Sequence, residues 1–131
     1  MQLSFDEAVE ELCSRSDRYK QDAYVLLRDS FDATLKQTEK ANTEGNLSAA
    51  ELYHGYCAYA VAQFGPLAED VLYSWGVSSP EDVGELVYNL IEMGIFGSRK
   101  DDSKVDFTTL PPMEDILEGL FLEQANKLAI V

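Results

Sequence analysis

Apolar residues recur along this chain at helical spacing, and most runs open on a capping residue. In "LSFDEAVEELC", Ser4 and Glu7 have the spacing of a capping box. Leu3 and Ala8 occupy the staple positions, and Phe5, Ala8, Val9, Leu12 and Cys13 form one stripe. After the interruption "SRSD", in which Ser16 is a second candidate cap, "DRYKQDAYVLLRDSFDATLKQTEK" predicts a long helix. Tyr24, Leu27, Phe31 and Leu35 mark its inner face, and "ANTEGN" ends it. "LSAAELYHGYCAYAVAQFGP" repeats the start signal, with Ser48 and Glu51 as the box and Leu47 and Leu52 as the staple. Its apolar face, Leu52, Tyr53, Tyr56, Cys57, Ala60, Val61 and Phe64, is broad enough to predict a central helix with several neighbours.

Gly65-Pro66 then closes one helix and opens another. "LAEDVLYSW" predicts a short helix with Leu67, Val71, Leu72 and Trp75 inward, stopped by Gly76. Ser79 and Pro80 start a fifth helix whose core positions are Val83, Leu86, Val87, Leu90 and Ile91, and Gly94 stops it. Beyond it, Ile95-Phe96, a charged stretch, and Val105 alternating with Phe107 predict a small β-hairpin with its turn near Asp101 to Ser103. Pro111-Pro112 reset the chain before a last helix carrying Met113, Ile116, Leu117, Leu120, Phe121 and Leu128. The expected fold is therefore mostly α, a single domain over residues 1–131 with about six helices and a hairpin after the fifth. Residues 1–65 form a helical bed, 66–107 a winged-helix-like unit, and 111–131 a C-terminal helix.

Helix, Gly turn, capped helix and hairpin is also the order of a DNA-reading unit. Charge argues against that use. The chain carries 24 Asp and Glu against 10 Lys and Arg, a net −14. No Lys or Arg lies between Lys40 and Arg99, a span with eight acids. Affinity for DNA comes largely from cations that neutralise phosphates, so nucleic acid is not an expected partner. The outward face of the fifth helix, Glu81, Asp82, Glu85, Tyr88, Asn89 and Glu92, holds four acids and no base.

Candidate chemistry is sparse. His54, the one histidine, stands three residues from Cys57, so a Cys-His nucleophile on one helical turn is an alternative reading. Cys57 falls in the apolar stripe, which favours two buried free thiols, Cys13 and Cys57, in a reducing compartment. One His and two Cys are too few for a structural zinc site. Asp101, Asp102 and Asp106 in "DDSKVDF" lack the Gly and terminal Glu of an EF-hand loop. No glycine-rich phosphate loop or nucleophile elbow is present. No catalytic residue, metal ligand or cofactor is assigned, and the protein is not expected to be an enzyme.

The segments "RYKQDAYVLLRDSFD", "LSAAEL", "FGPLAEDVLYSWGV", "PEDVGELVYNLIEMG" and "DSKVDF" cover most of residues 18–107. As a set they resemble an uncharacterised family of short bacterial proteins best represented in planctomycete and verrucomicrobial lineages. The chain departs from that family at "IFGSRK" and from Pro111 to Val131. The resemblance implies a bacterial, cytosolic domain and carries over no activity, cofactor or catalytic residue.

The functional expectation is a non-catalytic acidic protein-interaction module. Its candidate surface is Tyr59, Glu81, Asp82, Glu85, Tyr88, Asn89 and Glu92, with Tyr59 and Tyr88 as exposed aromatics rimmed by acids. The alternative is an acidic decoy that occupies the nucleic-acid-binding surface of a basic protein. The partner is expected to be a protein, a basic one being the natural complement to the charge. No run suits a membrane helix or a signal peptide, so a cytoplasmic location without membrane association is expected. The apolar end "KLAIV" is expected to pack on its own core, or across a homodimer through the C-terminal segment.

Overall fold

The computed structural model describes residues 2–38, 47–97 and 104–130, with side chains to residue 127. All regular structure in the described chain is helical: α1 (Phe5–Arg15), α2 (Gln21–Thr38), α3 (Ala49–Phe64), a 3-10 turn (Gly65–Leu67), α4 (Ala68–Ser74), α5 (Pro80–Glu92), α6 (Val105–Thr108) and α7 (Met113–Ile130). Helix starts follow the capping chemistry of the sequence. Ser4 and Ser48 form reciprocal boxes with Glu7 and Glu51, and the Ser79 hydroxyl accepts from the Asp82 backbone. Helix stops follow glycine, with Gly76 and Gly94 at φ of 94° and 78°.

Helix α3 is the central pillar, as its broad apolar face predicts. It packs on α2, α7, α4, α5 and α6, and Tyr53, Tyr56, Cys57 and Ala60 are buried. Its two buried tyrosines also reach out with their hydroxyls. Tyr56 donates to the Ala23 carbonyl on α2 (3.1 Å), and Tyr53 donates to the Pro111 carbonyl at the entry to α7 (2.7 Å). The α2–α3 approach is close because Gly55 lies directly against Thr34, whose hydroxyl donates back to the Ser30 carbonyl. Leu27, Leu72, Leu86 and Leu90 are completely excluded from water, each contributing about 1.5–3 kcal/mol from burial.

The expected β-hairpin is absent, and with it the winged-helix-like unit over residues 66–107: no strand occurs among the described residues. The expected turn at Asp101 to Ser103 lies outside the described residues. Where Val105 and Phe107 were expected in a strand, α6 makes local bonds instead, Phe107 N–H to the Lys104 carbonyl and Leu110 N–H to the Phe107 carbonyl. A strand would place Val105 and Phe107 on the same face, whereas a helical turn places residues two apart on nearly opposite sides. Here Val105 is exposed and Phe107 is buried against Gly84 of α5, which has no side chain to hold it off. Two smaller differences matter below. Helix α2 begins at Gln21 and not at Asp17, and Leu67, expected inward, is 59% exposed in the 3-10 turn.

Gly76 carries two constraints together, a left-handed backbone and a Cβ position that would collide with the Arg18 carbonyl. Gly94 carries the backbone constraint alone. Gly76→Ala is therefore expected to cost about 3 kcal/mol or more in urea unfolding, against about 1–2 kcal/mol for Gly94→Ala.

Candidate functional site

Residues 16–20 leave the helical path between α1 and α2 and run beside the turn that precedes α5. The Lys20 N–H donates to the Trp75 carbonyl (3.1 Å), and the Arg18 guanidinium donates through Nη1 to the Gly76 carbonyl (2.7 Å). The focus of this contact is Asp82, which is 6% exposed. Its Oδ1 accepts from Arg18 Nη2 (2.7 Å) and from the Tyr19 hydroxyl (2.7 Å). Its Oδ2 accepts from the Ser78 backbone N–H (2.9 Å) and, at longer range, from the Ser78 hydroxyl (3.4 Å). The guanidinium also stacks over the Tyr19 ring, 4.6 Å from its centroid. Burial, and then the bond to Asp82, raise the Tyr19 hydroxyl pKa well above that of a free tyrosine, so Tyr19 is a fixed donor.

Asp82 was expected on the outward, acidic face of α5. It is instead a buried structural acceptor. One helical turn on, Glu85 pairs with Lys104 (3.1 Å). One further turn on, the Asn89 side-chain amide donates to the Tyr24 hydroxyl (2.9 Å), which keeps its own O–H as a donor. Glu92 is exposed and has no partner among the described residues. These four residues line one wall of a groove of about 590 Å³. The facing wall comes from the α1–α2 junction and the start of α2: Leu12, Arg15, Ser16, Arg18, Tyr19 and Tyr24. The remaining candidates lie elsewhere. Glu81 is exposed but does not line the groove, and Tyr59 and Tyr88 are half-buried against the core where exposed rings were expected.

The arginine wall was not expected because "SRSD" reads only as an interruption and "DRYK" as the first turn of the long helix, whereas α2 begins at Gln21. A signal was available in Arg15, Arg18 and Lys20, a local concentration of cations in a chain short of them. The groove is thus bipolar, with guanidinium groups and tyrosine hydroxyls on one side and carboxylates and an amide on the other.

The Cys-His alternative finds no support in the geometry. His54 is exposed while Cys57 is fully buried, and burial pushes the Cys57 thiol up to about 12. A thiol so placed is protonated at neutral pH, the reverse of an activated nucleophile. Cys13 is half-buried, donates weakly to the Tyr19 carbonyl (3.6 Å), and is also raised by burial. No group of three or more His, Cys, Asp or Glu among the described residues is placed to hold a metal ion. No helix among them is long and apolar enough to cross a membrane.

No protein-family model matches this chain, and comparisons with curated proteins and with solved structures give no match.

Two outcomes follow from the geometry. Asp82→Ala strands the Tyr19 hydroxyl and the Ser78 N–H, whereas the 55%-exposed Arg18 side chain regains water. Asp82→Ala is therefore expected to cost about 2–4 kcal/mol and Arg18→Ala about 1–2 kcal/mol, read as urea midpoints; equal costs would disprove this anchor. A disulfide reagent at neutral pH should leave Cys57 unmodified in the native protein and modify it at once in denaturant.

Proposed function

We propose that the protein is a non-catalytic interaction module that holds a polypeptide segment of a protein partner in the groove between α5 and the α1–α2 junction. The observation that carries this reading is the pairing of walls described above. Asp82, Glu85, Asn89 and Glu92 stand in a line along one helix, opposite Arg15, Arg18 and two tyrosines. A peptide presents both N–H donors and carbonyl acceptors along its length; the exposed Glu92 and Arg15 at the rim can meet both, while Asp82, Arg18 and Tyr19 are bonded to one another at the base. Glu92 is the carboxylate best placed to receive a basic side chain, because it has no partner among the described residues. The base of the groove is rigid, since Asp82 is held by four hydrogen bonds from three residues. Rigidity lowers the ordering cost of binding. The net charge of −14 adds long-range attraction for a basic partner and repulsion of anionic ones.

The test is affinity capture from native lysate, with bound proteins identified by mass spectrometry and compared between wild type, Glu92→Lys and Arg15→Glu. Both positions are exposed, and neither belongs to the core. A partner recovered by wild type is expected to fall about tenfold in each variant, with a further loss as salt is raised. Recovery of the same proteins in the same amounts by all three would refute the reading.

A further inference from the structure

Four tyrosines of this protein are buried, and three of them have a fixed destination for the hydroxyl proton. Tyr19 donates to Asp82, Tyr53 to the Pro111 carbonyl and Tyr56 to the Ala23 carbonyl. Tyr24 differs. It is 3% exposed, it accepts from the Asn89 amide (2.9 Å), and its own proton has no acceptor among the described residues. Burial raises the pKa of this phenol above that of a free tyrosine, so the proton stays on at neutral pH. A buried donor without an acceptor is costly, and folded proteins keep few of them. Asn89 has the matching surplus, because its Nδ2 is engaged while its Oδ1 accepts from no described residue. Both residues line the groove between α5 and the α1–α2 junction, and their bond joins its two walls. It does so two turns, roughly 10 Å, along α5 from Asp82. The Asp82 bridge is saturated, whereas the Asn89 bridge keeps one donor and one acceptor open.

We infer that Tyr24 and Asn89 together read the main chain of the segment held in this groove, an inference that rests on the docking role proposed above. One extended residue of that segment gives its carbonyl to the Tyr24 hydroxyl and its N–H to Asn89 Oδ1. In an extended chain these two groups leave the same edge of a residue, as they do in paired β-strands, so a donor and an acceptor side by side suit them. A carboxylate is a poorer occupant than a carbonyl, because Glu92 stands on the same wall without a partner among the described residues and repels it. Glu92 also sets the side chain. It is exposed and lies one turn, about 4.5 Å, beyond Asn89, within reach of a Lys or Arg in the same segment. The occupant is therefore an extended, lysine- or arginine-bearing stretch of protein, held by its main chain at Tyr24 and Asn89 and by one cation at Glu92.

The probe is the acetylated and amidated peptide Ala-Lys-Ala-Lys-Ala, titrated into the ¹⁵N-labelled full chain. The readouts are the Asn89 side-chain amide signal and the backbone signals of the residues that line the groove. Wild type is expected to show saturable shifts in both. Tyr24→Phe removes the donor alone and is expected to weaken the peptide at least about fivefold, the worth of one hydrogen bond. n-Butylamine, a cation without a main chain, is expected to leave the Asn89 side-chain signal unmoved. Because the Tyr24 proton is unused in the free protein, Tyr24→Phe is expected to lower the urea midpoint less than Tyr19→Phe does. Groove binding that Glu92→Lys weakens but Tyr24→Phe leaves unchanged would overturn this inference while the docking role stands. An equal shift of the Asn89 side chain by n-butylamine, or a larger loss of stability in Tyr24→Phe than in Tyr19→Phe, would overturn it in the same way. A peptide that moves no groove signal of wild type would overturn both.

Discussion

The carboxylate of Asp82 holds the arrangement that everything else at the candidate site uses. It gathers a guanidinium and a phenol from residues 64 and 63 positions away in sequence, and a backbone N–H from the turn four residues before it. A buried carboxylate is costly unless its lone pairs are filled, and here they are. That requirement draws Arg18 and Tyr19 out of the helical path and sets the start of α2 at Gln21. It also brings the α1–α2 junction against the turn before α5. Gly76 completes the contact, since only a residue without a side chain lets the Arg18 carbonyl come so close.

On this anchor the rest of the fold is ordinary helix packing around α3. The same tyrosines that fill the core also span it, because each places an apolar ring inside and a hydroxyl on a neighbour's carbonyl. Small residues decide how near the neighbours come: Gly55 admits Thr34 of α2, and Gly84 admits Phe107 of α6. The second of these contacts explains why the segment after α5 is a helical turn where a strand was expected. A flat glycine surface on α5 receives one aromatic ring, and a single turn delivers it.

The acidity of the chain takes on a different meaning once its distribution is known. Along α5, Asp82 and Glu85 are paired with Arg18, Tyr19 and Lys104, and with the unpaired Glu92 they line a bipolar groove. Elsewhere, exposed carboxylates of α4 and α7 have no partner among the described residues. A net charge describes attraction at long range, whereas these two surfaces differ in how far their carboxylates are paired at contact.

Helix starts at Ser4, Ser48 and Ser79, stops at Gly76 and Gly94, and the central position of α3 were all legible in the sequence, because caps, glycine and apolar periodicity act within one or two turns of chain. The helical turn at Val105–Thr108 was not, since two apolar residues separated by one polar residue read as one face of a strand until Phe107 is seen against Gly84. The candidate site was half legible. The α5 residues were identified, but Asp82 was assigned to solvent, because periodicity reports which face of a helix a residue occupies and not what approaches that face. The Arg18–Asp82 pair, the arginine wall and the grouping of carboxylates on α4 and α7 come from contacts between distant segments. Those contacts are set by packing and by the need to fill the hydrogen-bonding capacity of buried polar groups, and only the tertiary structure decides them.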